Sequence, residues 1–367
     1  IYIIVIMALI QMFVTKYRFP EETFGSIIRI SRRYFYYAMF FPALYILSDR
    51  KRAVRFFKLA IGTVILFCCI FIAQFFAGSA HKIFTWAVRI EYQMLQGFRV
   101  TRIYVYGTMT ATLLFSVSLM VLLFWRSFKY ELRNIVVFFI TLIQILLSFG
   151  RANIFGIMIG TLFSAAVAGG RAKFRNIAGV SILLILILIL TAVIFEVTLP
   201  NEDLFKAVLT RIGSIFTAIT QKEDTFVGRI EDNYGRIDLV RKNPLFGVGF
   251  VHDESRLFAF ARGTAEAGIR TSDSGILTLL LDLGFVGVAW LLALTFIFLR
   301  RSVYLYKMNS RNICGPIILG IIAFYFGRLF SFITLGDFVM YDGITTIVIA
   351  LALLESINYN TIYERNE

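Results

Sequence analysis

The chain alternates between long apolar runs and short, basic connections. The runs cover 1–15, 34–49, 57–78, 104–125, 134–149, 152–168, 177–198, 275–299, 313–333 and 338–354. Several approach or exceed the ~18–20 residues that a helix needs to cross a bilayer. Backbone polar groups in lipid must be paired within the segment, so each run is expected to be a helix. The runs are continuous and not alternating, which argues against a β-barrel. The expected fold class is all-α, a polytopic integral membrane bundle of about 10 transmembrane helices.

The connections set an orientation. DRKRAVRFFK (49–58), RSFKYELR (126–133), GGRAKFR (169–175) and RRSVYLYKMNSR (300–311) hold 15 Lys/Arg against two acids. Short loops rich in Lys/Arg stay cytoplasmic. The other side then holds 16–33, 79–103, the turn near 150, the long segment 199–274 and LGDF at 335–338. Loop 16–33 is basic as well and pulls against this assignment for the first two spans. The expected division is 1–198 with helices 1–7, 199–274 as one large external loop, and 275–367 with helices 8–10 and a cytoplasmic tail.

Composition agrees with that picture. Of 367 residues, 59% are hydrophobic and 16% charged, and the mean hydropathy is +0.78. Soluble domains average about 45–50% apolar. The net charge of +14 is absorbed by the orientation signal. No RNA-recognition, zinc-finger or basic-helix context accompanies it, so nucleic acid is not an expected partner. Cys68, Cys69 and Cys314 lie in apolar runs and read as small hydrophobes. With two histidines in the chain, His81 and His252, a His-rich metal site is excluded, and both read as bystanders. The chain begins at Ile1 and not at Met, so an N-terminal stretch is expected to precede it; a cleaved signal peptide is the weaker reading.

The segment 199–274 is too long for a plain connector, since loops beyond ~12–15 residues are usually functional or have their own fold. AVLTRIGSIFTAI (207–219) has helical apolar spacing, and DNYGRIDLVRKN (232–243) reads as a second helix ending at Pro244. Three pieces then stand in order. Gly150-Arg151-Ala152 sits at the external end of a span. Gly228-Arg229 is followed 15 residues later by Pro244-Leu245-Phe246-Gly247-Val248-Gly249. TSDSGILTLLLDLGFVG (271–287) leads into the next span and closes in Gly284 and Gly287.

This order resembles the O-antigen polymerase (Wzy) and O-antigen ligase family, over roughly 140–300. The resemblance implies a bacterial inner-membrane enzyme whose long helical periplasmic loop faces its substrate. It also implies transfer of an undecaprenyl-diphosphate-linked glycan to another lipid-linked repeat unit. No cofactor is implied. The partners are the undecaprenyl-diphosphate-linked oligosaccharide, membrane lipid and, as a candidate, a chain-length regulator protein. Ligases of the family carry His-Asn where Asp273-Ser274 stands here, and His252 lies 21 residues before Asp273. The sequence therefore looks more like a polymerase.

The chemistry assigns candidate roles. Arg151 and Arg229 suit a leaving diphosphate, because a guanidinium is always charged and its fork matches phosphate oxygens. With neither a DxD pair nor a Gly-rich nucleotide fold in the sequence, arginines take the place of a metal in this reading. Arg151 also reads as a snorkelling helix-end arginine, and Arg229, beside Glu231 and Asp232, as a solvated charge. Asp273 is the candidate base for the acceptor hydroxyl, or the N-cap of the next span together with Ser272 and Ser274. Arg236, Arg328, Asn233, Tyr234 and Asp337 are candidate substrate contacts. Arg328 alternatively pairs with an acid, and the partner expected for the intramembrane Asp282 is Arg328. The PLFGVG run reads as architectural. Competing readings are an O-antigen ligase, a lipid-linked oligosaccharide transporter or flippase, and a structural or sensor protein.

Overall fold

The computed structural model describes residues 1–77, 88–95, 98–105, 108–125, 128–147, 151–169, 237, 239–251, 275–333 and 336–366. The helices are α1 (Tyr2–Arg18), α2 (Phe24–Phe35), α3 (Phe40–Ser48), α4 (Arg50–Ala77), α5 (Thr108–Phe124), α6 (Phe128–Leu147), α7 (Arg151–Ala168), α8 (Gly275–Asn309), α9 (Cys314–Ser331) and α10 (Tyr341–Asn366). Three described helical stretches, Lys51–Gln74, Gly275–Asn309 and Cys314–Ser331, are long and apolar enough to cross a membrane. Shorter apolar stretches are Thr108–Phe124, Asn134–Ile145 and Asn153–Ala168. The helical membrane-protein class is thus observed; the run 177–198 and the expected helix 207–219 lie outside the described residues.

The boundaries differ from the hydropathy reading in three places. The run 34–49 is not a single α-helix. It begins inside α2, passes through a 3₁₀ turn at Tyr36–Met39 and ends in the nine-residue α3. Thr23 starts this stretch as an N-cap, its hydroxyl accepting the Ser26 amide at 3.1 Å. The basic stretch 49–58 is helical from Arg50, as the first turns of α4. The basic stretch after 300 continues α8 to Asn309. Lys and Arg are good helix formers and favour the last turn of a helix, so charge marks the membrane edge without ending the helix. The connection 79–103 also contains structure: β1 (Val88–Leu95) and β2 (Phe98–Val105) pair antiparallel from Val88↔Val105 to Leu95↔Phe98. VRIEYQML alternates apolar and polar with the period of a strand.

The chain divides into two compact units. The first contains α1–α3, the segment 239–251, α8 as far as Ser302, and the chain from Arg328 through α10. Its apolar cluster joins Val240, Val248 and Val251 to Leu277 and Leu281. The second contains α4 from Ala53, α5–α7, the hairpin, and 303–327. Its core is Phe115, Leu119, Phe138, Leu142, Ile145 and Ile157.

Candidate functional site

The PLFGVG loop and the span that follows it meet in the first unit. α8 is one helix by its ends, but Gly284 inside it has φ 64° and ψ −158°. The break removes helical hydrogen bonds, and in a membrane-type helix the freed groups need new partners. The PLFGVG segment supplies them. Phe285 donates its amide to the Pro244 carbonyl at 2.8 Å, and Val286 to Leu245 at 3.2 Å. The Leu281 carbonyl, facing the break, accepts the amides of Val248 at 2.7 Å and Gly249 at 3.1 Å. Loop and helix thus exchange backbone hydrogen bonds across the gap.

This graft requires glycine at both faces. Gly247 has φ 71°, and a Cβ there would run into the carbonyls of Leu280 and Leu281. A Cβ at Gly284 would run into the Leu245 carbonyl. The two glycines of the sequence pattern, 37 positions apart, are therefore the two halves of one contact. Before the loop, residues 239–242 are helical and give way to a turn, which agrees with a helix stopped at Pro244. α1 holds the loop from another side. Gln11 donates to the Phe246 carbonyl at 2.8 Å, Arg18 to the Gly247 carbonyl at 2.9 Å, and the Thr15 hydroxyl accepts the Phe250 amide at 3.0 Å.

Among the described residues, two buried ion pairs belong to this unit. Asp282, two residues before the break, accepts from Arg33 and, at 2.6 Å, from the Tyr34 hydroxyl. This corrects the expected pairing of Asp282 with Arg328. Arg328 instead donates to Asp337 at 3.4 Å, and the Ser331 hydroxyl meets the same oxygen at 3.3 Å. Arg328 is 1% exposed and Asp337 3%. Burial pushes the Asp337 carboxyl above its ordinary range, while Arg328 and Ser331 pull it back. Asp337 therefore lies inside the fold and does not stand on an open external surface.

The remaining candidates are placed only in part. Arg151 is the first residue of α7, with its side chain outside the described residues. Arg229, Asn233, Tyr234, Arg236 and Asp273 also lie outside them, and Gly275 begins α8 two positions after Asp273. Arg33 and Tyr34 were missed by the sequence reading. The signal that was available is Asp282 itself, a charge inside an apolar helix that demands a partner.

No curated protein matches the chain. Residues 136–292 match the family model described as O-antigen ligase. That span takes in Arg151, Arg229, the PLFGVG loop and the broken start of α8.

Proposed function

We propose that the protein is a polysaccharide polymerase of the bacterial inner membrane. It transfers an undecaprenyl-diphosphate-linked glycan onto a lipid-linked repeat unit, at a site facing the periplasm. The observation that carries this reading is the family match over 136–292, joined to Asp273-Ser274 in the position where ligases of the family hold His-Asn. Undecaprenyl diphosphate keeps its tail in the leaflet and its charge at the interface, where a loop of arginines can meet it.

In the proposed mechanism the acceptor hydroxyl attacks the anomeric carbon of the donor sugar. The bond from that carbon to the diphosphate oxygen breaks, and the configuration inverts. The hydroxyl proton passes to the Asp273 carboxylate. Arg151 and Arg229 stabilise the negative charge that develops on the lipid diphosphate, in the role that a metal fills elsewhere. Arg236, Asn233 and Tyr234 contact the glycan. Arg328 and Asp337, buried against each other, shape the floor of the site from within. Chain length is set together with a separate regulator protein.

Purified protein reconstituted with lipid-diphosphate-linked repeat units tests this reading. Wild type is run in EDTA beside Arg151→Ala, Arg229→Ala and Asp273→Asn. The expected result is a glycan ladder that survives chelation and falls about 10²–10³-fold in each arginine variant. Unextended substrate with glycan moved across the bilayer overturns the polymerase in favour of a transporter. Transfer to lipid A core without a ladder overturns it in favour of a ligase.

A further inference from the structure

Arg33 and Tyr34 are consecutive residues near the end of α2, and both reach one oxygen of Asp282 on α8. All three are buried. The Tyr34 ring also packs on Phe250, at 5.6 Å between centroids, and Thr15 holds the Phe250 amide. The pair of α2 residues therefore touches both sides of the graft: the half-helix before the break and the loop docked on it.

Stability alone does not account for this arrangement. Apolar side chains of similar volume in place of a buried ion pair are often neutral or stabilising. Among the described residues, Arg33 Nε is moreover buried with no hydrogen-bond partner, and a buried donor left unmet costs free energy. Direction is what charge adds. A guanidinium and a phenol converging on one carboxylate oxygen define its place, whereas methionine and leucine contacts adapt and slide.

We propose that Arg33 and Tyr34 are positioning residues for glycan transfer. Acting through Asp282, they fix the half-helix Gly275–Leu283, which Asp273 precedes by two positions in sequence, against the loop 244–250. The role in transfer rests on the polymerase reading above; the fixing of the half-helix does not.

The test uses the full chain in lipid nanodiscs, with Arg33→Met/Asp282→Leu as the main variant and Tyr34→Phe as a milder one. Two quantities are read beside the unfolding midpoint: hydrogen exchange of the 275–283 amides, and kcat and KM for ladder formation. The expected result for the double variant is a near wild-type midpoint, faster exchange over 275–283, and a kcat about a hundredfold lower with KM near wild type. Tyr34→Phe keeps the ring on Phe250 and falls between. Unchanged exchange in both variants overturns the proposal whatever the activity. Faster exchange with unchanged kcat in an active enzyme overturns the positioning role and leaves a structural brace. If wild type makes no ladder, the polymerase reading fails, and the exchange result alone decides whether the clamp holds the half-helix.

Discussion

The two units use glycine for opposite ends. In the second, Gly160 of α7 packs on Ala323 and Gly327 of α9, Gly327 on the Gly156 carbonyl, and Gly320 of α9 on Val117 of α5. These helices keep ordinary dihedrals; the small residues let backbones approach, as membrane helix pairs do. The Ser164 hydroxyl adds a bond to the Leu319 carbonyl at 2.8 Å, and Phe163 stacks on Phe326 at 3.9 Å. In the first unit, Gly247 and Gly284 adopt positive φ and rewire the backbone itself. Buried charge accompanies the rewiring, as Arg33 with Asp282 and Arg328 with Asp337. Close packing serves a rigid wall. A broken helix stitched to a loop keeps the hydrogen bonds of irregular backbone met, as such backbone within an apolar span requires.

The contrast can be broken by substitution, and unfolding midpoints of the purified protein in SDS would rank the effects. Gly284→Ala should cost most, about 4 kcal/mol, because it combines a left-handed alanine with a clash against the Leu245 carbonyl. Asp337→Ala should cost about 3 kcal/mol by removing one partner of a buried ion pair. Adding Arg328→Met should recover most of that loss. If the double variant is no better than the single one, the pair is not what the site depends on. Gly160→Ala in the second unit should cost about 2 kcal/mol, since its Cβ meets the Ala323 carbonyl without the left-handed backbone that Gly284 adds. Thr15→Val removes the acceptor of the Phe250 amide and should cost about 1 kcal/mol. The smallest effect is expected from Arg301→Ala. Its bidentate pair with Glu355, at 3.2 Å for both contacts, is more than a third exposed and is worth at most about 1 kcal/mol. A loss at Gly160 larger than that at Gly284 would reverse the comparison.

Hydropathy located most of the described helices, since membrane helices must be both apolar and continuous. It misplaced their ends at Arg50 and Asn309, because basic residues are compatible with helix and mark depth, not termination. It also merged 34–49 into one span, where the helical path from Phe24 to Ser48 runs through a 3₁₀ turn. The hairpin at 88–105 was legible in its alternation but was masked by the expectation of a plain loop. The architectural role of PLFGVG was legible from its turn chemistry. That Gly247 faces Gly284 was not, because local pattern carries no information on which carbonyls a loop will meet. The Arg33–Asp282 pair spans 249 positions of sequence; a buried acid announces the need for a partner without naming it.

The central claim is that the loop 244–250 and the break at Gly284 form one hydrogen-bonded scaffold. Amide hydrogen exchange at Val248, Gly249, Phe285 and Val286 in wild-type protein in nanodiscs tests it most directly. The account predicts protection comparable to the helical amides that flank the break, although two of these residues lie in a loop and two at a helix discontinuity. Exchange at the rate of an open loop would contradict it and leave the glycine pattern without the structural role assigned here.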